Sequence, residues 1–309
     1  MLFRSEVELD LVPDGMAPAG CQSQWVQGAC GCPKLVAAGL AIPALGTQVV
    51  ELVPASEGGA SAFRVTEEEL ETPFAVLKFD ERGRIVSLVD KASGRQVVKS
   101  GGALNTFWIG EDLPQSWDNW DVDNDQLLKM EQDFRLISRR VVADGPLQLR
   151  LRSEYELGAG SRITQDMVFH STTPRIDFDT VVDWHELHKL FKTGFELAVM
   201  IESAKHEIQY GHVDRPTHRN LPQDIARFEV CAHKWTDLSE ADFGVALLNE
   251  SKYGISVIGT DARLSLIKSG THPDPRGDEG RHQFTYSLLP HAAFGVENEI
   301  GRASCRERV

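Results

Sequence analysis

The sequence has no apolar run approaching the ~20 residues that a helix needs to cross a bilayer, so no membrane partner is expected. Its first ten residues alternate charge without an apolar segment, which does not fit a secretory signal. Basic residues are in short supply: 32 Lys and Arg stand against 46 Asp and Glu, a formal net charge of -14. Nucleic-acid affinity rests on many Lys and Arg contacts to phosphate, so no nucleic-acid partner is expected either. No Gly-rich loop runs into Lys-Ser or Lys-Thr, and no dinucleotide fingerprint follows a strand-like run. Cysteine is sparse, 5 in 309 residues. Cys30 and Cys32 form an isolated C-x-C, while Cys21 and Cys231 lack paired spacing, so no zinc site is expected. They read as ordinary thiols of a reducing compartment, consistent with a cytoplasmic protein. A long 3.6-residue hydrophobic period is also missing, which argues against an α-helical architecture.

What is present is period two. In the run from Leu147, Leu149 and Leu151 continue one face, and Gln148, Arg150 and Arg152 the other. From Arg175, Ile176, Phe178, Thr180, Val182 and Trp184 oppose Arg175, Asp177, Asp179 and Asp183. Phe284, Tyr286 and Leu288 repeat the pattern. Successive strand side chains leave opposite faces, so these read as half-buried antiparallel strands with the charged face outward. The runs 74–79, 85–89 and 96–98, separated by ERG and ASG, read as a meander. The pattern predicts an all-β, antiparallel β-sandwich. With this length, the polar Gly-rich stretch 54–62 suggests two units: a small β unit over 1–62 and a larger β domain over 63–299.

Both ends are expected to be non-native. Residues 300–309, IGRASCRERV, match a translation of a common sequencing adapter, ATC GGA AGA GCG TCG TGT AGG GAA AGA GTG. Without that tail the charge becomes 29 basic minus 45 acidic, or -16, because three Arg and one Glu leave. At the other end SEVELDLVP enters as a strand without a prelude, so Met1 reads as an internal codon.

The densest polar segment is 207–240. With flanking His206 it holds His212, His218, His233, Arg215, Arg219, Arg227 and Trp235. GHVDRPTHRN (211–220), RFEVCAHKWTDLSE (227–240) and GVALLNESKYG (244–254) resemble the C-terminal region of α-mannosidases of glycoside hydrolase family 38, in their cytosolic and bacterial subtype. DERGRIVSLVDKASGR (80–95), EDLPQSWDNWDV (111–122), DWHELHK (183–189) and HQFTYSLLPH (282–291) carry the same resemblance, in family order across 74–291. It implies a supersandwich like that of galactose mutarotases, packed beside a catalytic barrel. It also implies a retaining mechanism with an Asp nucleophile, an acid/base carboxylate and one zinc-like divalent ion. In the family the nucleophile and the metal ligands precede this region, and no match to their motifs occurs here. The chain is therefore expected to hold no catalytic residue, metal or cofactor of its own. Its implied partners are a mannose-containing oligosaccharide and an N-terminal catalytic domain. A surface facing that domain would make the chain prone to association. A stand-alone carbohydrate-binding β module is the alternative, and a mutarotase-like enzyme rests on fold analogy alone.

Three groups of candidate substrate contacts follow. Trp117, Asp118, Trp120 and Asp121 lie in an acidic loop-like stretch. Indoles stack on the apolar face of a sugar and carboxylates accept its hydroxyls. The alternative is an interface anchor. His212, Arg215 and His218 form a second group, with Arg215 biased to an extended conformation by Pro216. These support a sugar site or knit the loop to acids such as Asp214 and Asp224. Lys268, His272 and Asp274 lie in a Pro/Gly-rich loop that is otherwise a solvated turn. HELH at 185–188 is not H-E-x-x-H, and on a strand positions 185 and 188 point to opposite faces, which argues against a shared ion. Arg227 and Glu229 read as solvent-facing strand residues, and Trp235 as core.

Overall fold

A computed structural model describes residues 6–9, 12–40, 47–55, 58–66 and 68–292. The adapter-like tail and the start at Met1 lie outside the described residues. Among these, the strands form a ten-stranded and a nine-stranded sheet, with a three-stranded and a two-stranded sheet near the N-terminus. The ten-stranded sheet runs Val230–Cys231, Gly254–Ile258, Asp261–Ser269, Lys189–Glu196, Leu104–Glu111, Ile85–Asp90, Ala75–Phe79, Glu69–Glu71 and Arg64–Val65, with Met130–Glu131 paired on Leu104–Glu111. The nine-stranded sheet runs Phe134–Asp144, Gln148–Leu157, Ser161–His170, Ile176–Trp184, Gly280–Ala292, Phe243–Asn249, Trp235–Ser239, Ser203–Ile208 and Gly211–Pro216. The paired strands are antiparallel, as the period-two pattern predicts.

The inward faces of the two sheets share one hydrophobic core. Phe178 stacks on Tyr286 at 4.9 Å, and Phe178 meets Phe195 of the other sheet at 5.9 Å. Trp184 stacks on Phe191 at 5.7 Å. A polar knot sits inside this apolar layer. Asn105, at a bulge with φ 59, donates to Gln165 Oε1 at 2.7 Å, and Gln165 donates to Thr180 Oγ1 at 2.9 Å and Tyr286 OH at 2.8 Å. Each of these hydrogen-bonding groups is satisfied, as a buried polar group must be.

The outer face of the nine-stranded sheet departs from expectation. Gln148, Arg150 and Arg152, like Asp177 and Asp179, are buried rather than solvent-facing. The small N-terminal sheet of Glu6–Leu9, Gln22–Gln27 and Pro33–Ala38 packs over them. Arg150 reaches Glu8 at 2.7 Å and Asp179 at 3.3 Å. Arg152 grips Asp166 through Nε at 2.7 Å and Nη2 at 2.9 Å, and also donates to the Gly28 carbonyl at 2.7 Å. Gln24 accepts from the backbone N–H of Leu147 and Gln148. Alternation reported the two faces correctly; it could not report that the charged one is covered.

Two smaller corrections concern local structure. Of the expected meander, Ala75–Phe79 and Ile85–Asp90 pair as strands, but Gln96 and Val98 make only isolated bridges. Arg227 is exposed as expected but follows the short helix Pro222–Ala226, whereas Glu229 is turned inward, where it meets buried Lys192 and Ser265 Oγ. A buried lysine needs a carboxylate partner, and that overrides the local alternation.

Candidate functional site

Strand register builds one rim of the molecule. Leu104–Glu111, Lys189–Glu196 and Asp261–Ser269 are neighbours, with Glu111 opposite Lys189 and Lys189 opposite Ser269. Their ends therefore lie level, and the loops that leave them start side by side. The ladder continues one rung further: Asp112 N–H donates to the His188 carbonyl at 2.8 Å, and His188 N–H to the Ser269 carbonyl at 2.6 Å. Loops 112–125, 185–188 and 270–279 thus converge.

Asp118 is the keystone of that convergence. Its Oδ2 accepts the backbone N–H of Thr271 at 2.8 Å and of His272 at 3.0 Å. Its Oδ1 faces His188 Nδ1 at 3.7 Å, while His188 Nε2 and Thr271 Oγ1 share a hydrogen bond of 3.1 Å. Burial pushes the Asp118 carboxyl up, but the two backbone donors, His188 and Lys268 hold it below the usual carboxylate range. Asp112 is almost wholly buried and pairs with the Lys268 ammonium. Burial there outweighs Lys268, so the Asp112 carboxyl is pushed up. Gly270 suits this packing, because a Cβ at that position would displace the Asn119 side chain.

The tryptophans project from this braced base. Trp117 adopts φ 61, and its carbonyl accepts the N–H of Trp120 at 2.7 Å and of Asp121 at 3.0 Å. Trp117 is 72% exposed and Trp120 69% exposed. Leu113 and Leu187, at 50% and 49%, are exposed on two of the same loops. The structure therefore brings Trp117, Asp118, Trp120, Lys268 and His272 to one rim. Asp121 caps its own turn by accepting the Val122 N–H, and Asp274 accepts the Arg276 N–H in an exposed turn.

His212, Arg215 and His218 lie elsewhere, along and just beyond the edge strand Gly211–Pro216 of the other sheet. Arg215 donates to the Cys231 carbonyl, His218 approaches Asp224 at 3.5 Å, and the His212 ring lies 6.1 Å from that of buried Trp235. The Thr217 carbonyl accepts the N–H of Gly259, just ahead of Asp261–Ser269. Lys268 lies at the far end of that strand, about 25 Å along at ~3.3 Å per residue.

Asp112, His188 and Thr271 were not among the sequence candidates. HELH is not strand: the strand ends at Trp184, His188 takes φ 51, and Glu186 is buried against Ala159 N–H and Ser161. Its signal in the sequence was the unusual polar density between two strand-like runs. Among the described residues, no group of three or more His, Cys, Asp or Glu is arranged to hold a metal ion. No helix among them is long and apolar enough to cross a membrane.

In sum, fold and rim define a two-sheet β domain that presents paired aromatic and carboxylate groups at one end. The two-sheet fold is shared with an α-mannosidase from Enterococcus faecalis V583, whose structure superposes on 98% of this chain and 40% of that one with a TM-score of 0.69, at 11% identity. The chain belongs to glycosyl hydrolase family 38: the family pattern named "Glycosyl hydrolases family 38 C-terminal domain" matches residues 70–276. It is 40% identical over 230 residues to Alpha-mannosidase G of Dictyostelium discoideum, covering 72% of this chain and 21% of that protein. Alpha-mannosidase 2C1 of Homo sapiens is 39% identical over 259 residues, covering 81% of this chain and 23% of that protein. The chain thus spans about a fifth of the length of these relatives. The matched region includes loops 112–125 and 185–188 and residues 270–276 of the third.

Proposed function

We propose that this chain is the non-catalytic C-terminal β region of a retaining α-mannosidase that removes terminal α-mannose from glycans. In this reading the rim of Trp117, Asp118, Trp120, His188 and Lys268 forms one wall of a sugar cleft. A catalytic domain on preceding polypeptide forms the other. The observation that carries it is the pair of exposed indoles on a loop anchored at both sides. Scattered exposed apolar residues are ordinary, but two tryptophans on a loop braced by the half-buried Asp118 carboxylate are pre-organised for a flat apolar partner such as a sugar face.

The rim's own carboxylates are already engaged, Asp112 by Lys268 and Asp118 by two backbone N–H groups. Neither is free to act as nucleophile or general acid, two roles that a retaining glycosidase needs on carboxyl groups about 5 Å apart. The family's divalent ion does not fit this rim: the Lys268 ammonium sits on Asp112, backbone donors hold Asp118 Oδ2, and among the described residues no three His, Cys, Asp or Glu side chains converge on one point. No step is derived through it.

The purified chain is expected to leave p-nitrophenyl α-mannoside intact, with or without added zinc. Robust metal-dependent turnover would overturn the reading. Calorimetry with α-mannobiose then separates the carbohydrate-binding alternative. Binding by the chain alone, lost in Trp117→Ala and Trp120→Ala, supports a self-sufficient module. Absence of binding supports a half-cleft.

A further inference from the structure

The turn at 28–32 gathers features that no part of the mannoside reading uses. Gly31 N–H donates to the Gly28 carbonyl at 2.9 Å, and Gly28 N–H to the Cys32 carbonyl at 3.0 Å. The chain therefore doubles back tightly enough for residues 30 and 32 to face each other. Gly31 stands at φ +84, a conformation that L side chains rarely adopt, so glycine at the centre of C-G-C is what permits the turn. The Cys32 N–H donates to Cys30 Sγ at 3.3 Å, which sets the two cysteines side by side. Pro33 biases Cys32 toward an extended conformation. Both thiols are free, Cys32 exposed and Cys30 half-buried.

We propose that Cys30 and Cys32 form a reversible dithiol–disulfide pair that is oxidised by small-molecule disulfides. Cys32, the accessible sulfur, attacks the sulfur–sulfur bond of the oxidant as thiolate. It forms a mixed disulfide and expels one thiolate. Cys30, losing its proton, attacks the Cys32 sulfur, forms the Cys30–Cys32 bond and expels the second. Two protein S–H bonds are lost and one S–S bond is gained; the oxidant takes up two electrons and two protons and leaves as two thiols. The neighbouring Cys30 sulfur holds the Cys32 thiol above its ordinary range, so exchange is slow at neutral pH and quickens as pH rises. A closed three-residue ring is tight, and strained or exposed disulfides are the readily reduced ones. The pair therefore returns to dithiol when thiol is in excess.

The turn is also structurally placed to report its state. Gly28 O and Gln27 O accept from Arg152, Ala29 N–H donates to Asp179, and Cys30 O accepts from Arg281. These contacts tie the redox pair to the charged layer under the small sheet.

The test treats the purified chain with glutathione disulfide in excess over glutathione, alkylates free thiols, and digests with trypsin and chymotrypsin. The peptide 26–34 then isolates Cys30 and Cys32 from Cys21. The expected product lacks both alkyl groups, weighs two hydrogens less than the dithiol form, and reverts with dithiothreitol. Cys21→Ser leaves this unchanged. Cys32→Ser gives only a glutathione adduct or an alkylated Cys30, and Gly31→Val lowers the disulfide yield at least several-fold. Alkylation of both sulfurs in the parent at every ratio tested, separate glutathione on each, or a Cys21 cross-link would each overturn the proposal.

Discussion

At the residue scale, Asp118 does the most with the fewest atoms. A carboxylate accepting two backbone N–H groups fixes one loop against another, and hydrogen bonds to a charged group contribute about 1.5–3 kcal/mol. Asp118→Ala is therefore expected to lower unfolding stability in urea by about 2 kcal/mol. Asp118→Asn, which still accepts through Oδ1, should lose less than half of that. Equal midpoints for Asp118→Ala and the parent would show that Asp118 is no brace. Trp117, Asp118 and Trp120 were legible because aromatic and acidic residues stood in a loop-like stretch. His188 was not, since its left-handed backbone and its place beside Thr271 follow from pairing that local alternation does not encode.

At the scale of elements, the strands Gln148–Leu157 and Ile176–Trp184 are buried on both faces. The apolar faces fill the core, and the charged faces form ion pairs beneath the small sheet. Removing one member of such a pair strands the other, whereas replacing both with apolar groups of similar size can be nearly neutral. Arg152→Ala is expected to destabilise by about 3–5 kcal/mol, because Asp166 is fully buried. The combined Arg152→Met and Asp166→Leu variant should recover most of that loss in the same denaturation assay. Additive losses in the double variant would mean that the pair is not coupled.

At the scale of the whole molecule, two buried histidines give opposite pH slopes. His170 bridges Glu6 of the small sheet, at 2.8 Å, and Asp177 of the large one, at 2.9 Å. Burial pushes it down, but Asp177 and Glu6 together raise it above its ordinary 6.5. Its folded value exceeds its unfolded one, so its contribution is full below about pH 6.5 and is lost as pH rises through the folded value. His206 runs the other way. Burial, then Arg215, lowers it from 6.5 to about 4. Its contribution is full above pH 6.5 and is lost as pH falls toward 4. That depression corresponds to roughly 3 kcal/mol. Stability measured from pH 4 to 9 should show His206→Gln flattening the acid limb relative to the parent, and His170→Gln flattening the alkaline one. Unchanged limbs in both variants would remove the histidines from the account.

The sequence by itself determined the antiparallel β architecture, because side-chain alternation is a local property of an extended chain. It also determined the family, through ordered motifs. Tertiary structure alone decided which charged faces are buried, since coverage depends on where the small sheet docks. It also decided which loops meet. Asp118, His188 and Lys268 are distant in sequence and share one rim because three strands pair in register. His212 and Arg215 lie on the edge of the other sheet and His218 just beyond it, because strand pairing and not chain proximity sets what is near in space.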